Sequence, residues 1–102
     1  MKECCEKYLA EQFGGDEDIM REIYGEYVQS VHEKIGELKT ALDASNWQSA
    51  DKIAHTVKGN ALAAGDAEVS NLAIELRKAS ALNDIVQCRS LLAKIEELAK
   101  GL

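Results

Sequence analysis

Three residues near the middle of the chain have types and spacing that could do chemistry together. His55, Lys58 and Gly59 fall within Ile53 to Gly65, which reads IAHTVKGNALAAG. Ala50, Ile53, Ala54, Val57, Ala61 and Ala64 recur three or four positions apart, which marks one buried face of a helix. At about 100° per residue, His55 projects roughly 140° away from the middle of that face, and Gly59 lies almost opposite it. Lys58 follows His55 by three positions, so the two side chains are neighbours on the helix surface. An outward imidazole can serve as a nucleophile, and an ammonium beside it favours an anionic group. Gly59 needs its own reason, because mid-helix Gly costs about 1 kcal/mol relative to Ala. A Gly that let a neighbouring helix pack closely would sit on the apolar seam. This one does not, so it clears space for something to approach the imidazole.

His55-Thr56-Val57-Lys58-Gly59, then Ala61, then Gly65 ten residues after the histidine, resembles the signature of histidine-containing phosphotransfer (HPt) domains. Leu62 and Ala64 depart from the residues usual at those positions. The resemblance extends to helix order, helix lengths and acidic balance over about residues 3 to 100. It implies reversible phosphoryl transfer: Nε2 of His55 attacks the phosphorus of an aspartyl phosphate on a receiver domain, then passes the group to another receiver Asp. Lys58 would offset charge on the phosphoryl oxygens, and Gly59 would let the partner come close. The implied partners are response-regulator receiver domains and a sensor (hybrid) histidine kinase. Mg²⁺ is a usual component of such transfer and would come from the receiver, with no cofactor of the chain's own. No Gly-rich nucleotide loop occurs, so the chain should be a carrier and not an ATP-dependent kinase.

The elements that must hold these residues are helical. No proline interrupts the chain, aromatic residues are few, and Ala, Leu, Glu and Lys abound. Glu3 to Phe13 reads as a short amphipathic helix with Cys5, Tyr8, Leu9 and Phe13 as its buried side, broken by Gly14-Gly15. Asp16 caps a long helix reaching about Ala44, whose Val28, Val31, Ile35, Leu38 and Leu42 follow steps of 3 and 4. Gly36, inside it, is a candidate close contact. Ser45-Asn46-Trp47-Gln48 has the form of a capping box opening the central helix, with Trp47 packing at the bundle end. Gly65 stops that helix and Asp66 caps the next, whose core stripe is Val69, Leu72, Ala73, Leu76 and Ala79. Asp84 with Gln87, or Asn83, caps a last helix carrying Ile85, Cys88, Leu91, Leu92, Ile95 and Leu98. Short links predict an all-α, antiparallel up-down four-helix bundle with a short N-terminal helix across one end. Counting outward from the turns sets His55 level with Ile35, near His32, Gly36 and Lys39. On the other side it is level with Glu75, near Arg77 and Lys78. Arg77 and Lys78 could add positive charge across the groove. Leu62, one turn beyond Gly59 on the same side, is a candidate docking residue.

Composition closes off other classes. At 102 residues the chain is expected to form one domain, residues 1 to 102, and to be monomeric because its core closes within one chain. The net charge of −6 argues against a nucleic-acid surface, which needs a basic stripe. No apolar run approaches the ~20 residues of a membrane span and no signal peptide opens the chain, so a cytoplasmic protein without membrane attachment is expected. The initial Met and the complete helix set lean toward a free-standing protein. Cys4, Cys5 and Cys88 are odd in number, two are adjacent, and no metal-ligand spacing occurs, so they read as reduced thiols. The main alternative is a helical adaptor that binds receiver or kinase domains without being phosphorylated. A hydrolytic or metal enzyme using His32 and His55 has little support, since two histidines alone make a poor metal site.

Overall fold

The computed structural model describes residues 1–102 as five α-helices with no strand. They are α1 (Glu3–Phe13), α2 (Glu17–Asp43), α3 (Trp47–Ala64), α4 (Ala67–Ala81) and α5 (Ile85–Lys100). The links between α2 and α5 share one design. A left-handed residue ends each helix, Ser45 at φ 52°, Gly65 at φ 78° and Asn83 at φ 53°. An Asn or Asp follows directly and caps the next helix. Asn46 Oδ1 accepts from the Ser49 N–H at 3.1 Å, Asp66 Oδ1 from Val69 at 3.3 Å, and Asp84 Oδ1 from Gln87 at 3.1 Å. The capping residue's own N–H reaches back five positions, to Ala41, Ala61 and Ala79, and satisfies an orphan carbonyl there.

This design corrects the expected start of α3. Ser45 is not its N-cap; it takes the left-handed position that ends α2, and Asn46 caps. At the α5 junction the cap is Asp84, with Asn83 spent on the left-handed turn. Two further expectations fail. Phe13 is 40% exposed, because it is the last residue of α1 before the chain turns away at Gly14. Gly36 is no close contact: a Cβ there would meet nothing within 4 Å, since it sits on the outer face of α2.

α2 packs on α3 and α5, α3 on α4, and α4 on α5, while α1 lies against α2 and α3. A single cluster of 24 buried apolar residues fills the interior. The part contributed by α3 is mostly Ala50, Ala54, Ala61 and Ala64, small side chains that let neighbouring helices lie close and hold α3 firmly. Tyr8 of α1 presses on the end of α3 so closely that a Cβ at Gly65 would collide with it. Next to that contact, Asp66 is fully buried. Its carboxylate accepts from Lys2 Nζ and from the Tyr27 hydroxyl, each at 2.8 Å. Lys2 N–H also donates to Tyr24 Oη at 3.0 Å, and the Tyr24 hydroxyl donates to the Leu102 carbonyl at 3.1 Å. One polar network thus joins both chain ends to α2 and to the start of α4.

Candidate functional site

His55 is the ninth of the 18 residues of α3, far from either end. Its flanking residues Ala54 and Val57 are buried, so the backbone is clamped while the imidazole is exposed. The ring stands in an open polar cleft between α3 and α4, lined by Asp51, Lys52, His55, Thr56 and Arg77. Arg77 Nη1 lies 3.0 Å from His55 Nδ1, and Arg77 Nε donates to Asp51 Oδ1 at 3.0 Å. A guanidinium has only donors, so it is Nδ1 that accepts. Nε2 has no partner within the protein.

The remaining candidates fall as follows. Lys58 is half-buried beside His55, and Lys78 is exposed on α4; neither makes an ion pair. Arg77 comes directly to the imidazole, already engaged with Asp51. Lys39 is turned to Glu96 of α5 at 3.0 Å, and His32 is exposed and joins no cluster. Gly59 is exposed, and a Cβ there would point into open space. Leu62 is 54% exposed one turn further along, next to exposed Ala63. A larger groove between α2 and α3, lined by Glu33, Glu37, Thr40 and Ile53 among others, contains no histidine, cysteine or cation.

Sequence reasoning passed over Asp51. The signal was available, because Asp51 precedes His55 by four positions and so shares its side of α3. It carried no meaning without Arg77, which only tertiary packing brings alongside.

Neither buried cysteine is an activated thiol. Burial pushes the Cys5 thiol up to about 12, with buried Asp66 adding to it, and burial raises Cys88 as well. Such thiols are poor nucleophiles. No group of three or more His, Cys, Asp or Glu side chains is placed to hold a metal ion. No helix is long and apolar enough to cross a membrane.

Compared with known protein families, residues 22–102 match the family model described as the Hpt domain. No curated protein and no solved structure matches the chain.

Proposed function

Because this chain belongs to the Hpt domain family, whose members carry phosphoryl groups in phosphorelays, we propose that it is a carrier that accepts its phosphoryl group on His55. Hpt domains work with receiver domains and histidine kinases, and they are carriers and not kinases themselves. In our reading Nε2 attacks the phosphorus of a receiver's aspartyl phosphate, and phospho-His55 then yields the group to a second receiver Asp. The observation that supports this is an exposed imidazole halfway along a clamped helix, with a cation at Lys58 and open backbone at Gly59.

Each neighbour has a role in that scheme. Lys58 neutralises charge gathering on the phosphoryl oxygens, and Lys78 is a second cation without a partner to leave. Arg77 could join them only after giving up its present bonds. Gly59 and Leu62 form the docking face, and the receiver brings its own Mg²⁺. The helices supporting the site form an antiparallel up-down four-helix bundle with α1 across one end. Three side-chain bonds favour this arrangement: Asn60 to Ser30, Arg77 to Asp51, and Ser80 to the Trp47 carbonyl. Along α3 and α4, the partner of the higher-numbered residue moves to a lower number.

The test is incubation with a phosphorylated receiver domain and Mg²⁺, followed by intact-mass spectrometry of wild type and His55→Gln. One acid-labile phosphoryl group on wild type alone is expected. Binding without transfer would instead mark a receiver-binding adaptor, and transfer surviving in the variant would move the site elsewhere.

A further inference from the structure

We propose that Arg77, anchored by Asp51, is a latch on His55: it keeps Nδ1 free of a proton, and the outward Nε2 in its proton-bearing, unreactive form, until a partner displaces it. The inference rests on the carrier reading for its consequence, but its geometry stands independently.

A neutral imidazole has one ring proton and one in-plane lone pair, on opposite nitrogens. Arg77 is permanently charged and can only donate. Its 3.0 Å contact with Nδ1 therefore needs the lone pair to be there, which leaves the proton on Nε2. A protonated Nε2 has no electron pair to offer phosphorus. The reactive tautomer carries its proton on Nδ1, where it would face the N–H of Arg77, donor against donor. The other charged groups lining the cleft give no relief. Lys52 is a cation, and Asp51 is turned to the guanidinium, its Oδ1 accepting from Arg77 Nε at 3.0 Å, and makes no hydrogen bond to the ring. Asp51 lies one turn before His55 on α3, so it holds the guanidinium in line with the ring across the α3–α4 groove. Transfer requires the pair to open.

Once Arg77 has moved, the proton sits on Nδ1 and the lone pair on Nε2. The Nε2–P bond forms as the P–O bond to the aspartyl carboxylate breaks, and that electron pair leaves on the carboxylate oxygen. The ring, left cationic with Nδ1–H, gives this proton to water. Nδ1 can then accept from Arg77 again. The latch consequently acts on the product too. A phosphoryl group departs readily from imidazole when Nδ1 is protonated, since the leaving group is then neutral and not an imidazolide anion. A donor-only partner at Nδ1 opposes that protonation and protects phospho-His55 from water. Arg77 is thus a positioning residue that acts through His55, and the receiver that displaces it unlocks both directions of transfer.

The test combines a tautomer measurement with kinetics. Long-range ¹H–¹⁵N NMR of the His55 ring at mildly alkaline pH is compared between wild type, Arg77→Gln and Asp51→Asn. The two side chains are 35% and 45% exposed, so both variants should melt close to wild type. Wild type is expected to hold the proton on Nε2. The Nδ1–H fraction should rise about fivefold in Arg77→Gln, the effect of losing one ordinary hydrogen bond, and less in Asp51→Asn. Phosphoryl acceptance from a phosphorylated receiver and spontaneous loss of phosphate should both quicken by about the same factor. An unchanged tautomer ratio, a wild-type ring protonated on Nδ1, or slower acceptance in Arg77→Gln would overturn the latch; slower acceptance would make Arg77 a ligand of the phosphoryl oxygens. The expected tautomer shift with no phosphorylation of any variant would uphold the latch geometry and overturn the carrier reading.

Discussion

Replacing Gly59 with Ala should stabilise the fold and impair transfer. Gly59 is the thirteenth of the 18 residues of α3, its φ is not in the left-handed range, and an added Cβ meets nothing within 4 Å. Nothing in the isolated protein therefore opposes the substitution, and the helix gains the ordinary Gly-to-Ala propensity of about 0.8–1 kcal/mol. For a domain of this size that gain raises Tm by roughly 4–8 °C. The same methyl would stand in the path of a partner closing on His55. A methyl wedged into a close-fitting contact costs on the order of 1–3 kcal/mol, hence transfer slower by about fivefold to a hundredfold. Gly25 and Gly36 supply internal controls, because both are helical, exposed and open at Cβ but lie on α2. Gly25→Ala and Gly36→Ala should stabilise similarly and leave transfer unchanged. The assay is a thermal melt of each variant with stopped-time phosphotransfer from one receiver. If Gly59→Ala transfers as fast as the two controls, the open backbone beside His55 has no access role and that part of the reasoning fails.

Leu62→Asp should melt within a few degrees of wild type, because Leu62 is 54% exposed, yet slow transfer several-fold; unchanged kinetics would remove Leu62 from the docking face. Asp66→Ala should destabilise by about 3 kcal/mol or more, since it strands Lys2 Nζ and the Tyr27 hydroxyl and removes the α4 cap, and a shift below ~1 kcal/mol in urea unfolding would contradict this. Stability should also fall in alkali. Burial, and then the bond to Asp66, raise Tyr27 well above its ordinary 10.0; burial raises Tyr24, and raises Cys5 and Cys88 from 9.0. Lys2 is raised above 10.5 as well, burial opposing its charge but the bonds to Asp66 and Glu68 prevailing. The folded protein holds all these protons more tightly than the unfolded chain, so their contribution is complete below pH 9 and is lost as pH climbs past 9 to 10. Urea midpoints should be flat from pH 7 to 8 and decline above 9, less steeply in Tyr27→Phe; a decline no different in Tyr27→Phe would contradict the Tyr27 assignment.

What the sequence determined by itself was whatever local geometry settles. Apolar spacing set which face of each helix is buried, and that alone turned His55 outward and set Lys58 beside it and Gly59 one turn on. Asp16, Gly65 and Asp66 marked boundaries because capping and left-handed turns depend on a few neighbouring atoms. Ser45 was misjudged for a related reason: Ser suits an N-cap in isolation, while the turn closing α2 needed a left-handed residue just before a capping Asn. Tertiary structure decided whatever joins residues far apart in the chain. Lys2 and Asp66 are separated by 64 positions, and no periodicity foretells that a helix cap is also the buried hub linking both termini. The rotation of α4 against α3 is a second instance. Counting along the helices put Arg77 and Lys78 in the neighbourhood of His55, but it does not say which of two adjacent side chains faces the groove. Packing of Leu76 and Ala73 into the core fixed that rotation, and it turned Arg77 onto Nδ1 while leaving Lys78 in solvent.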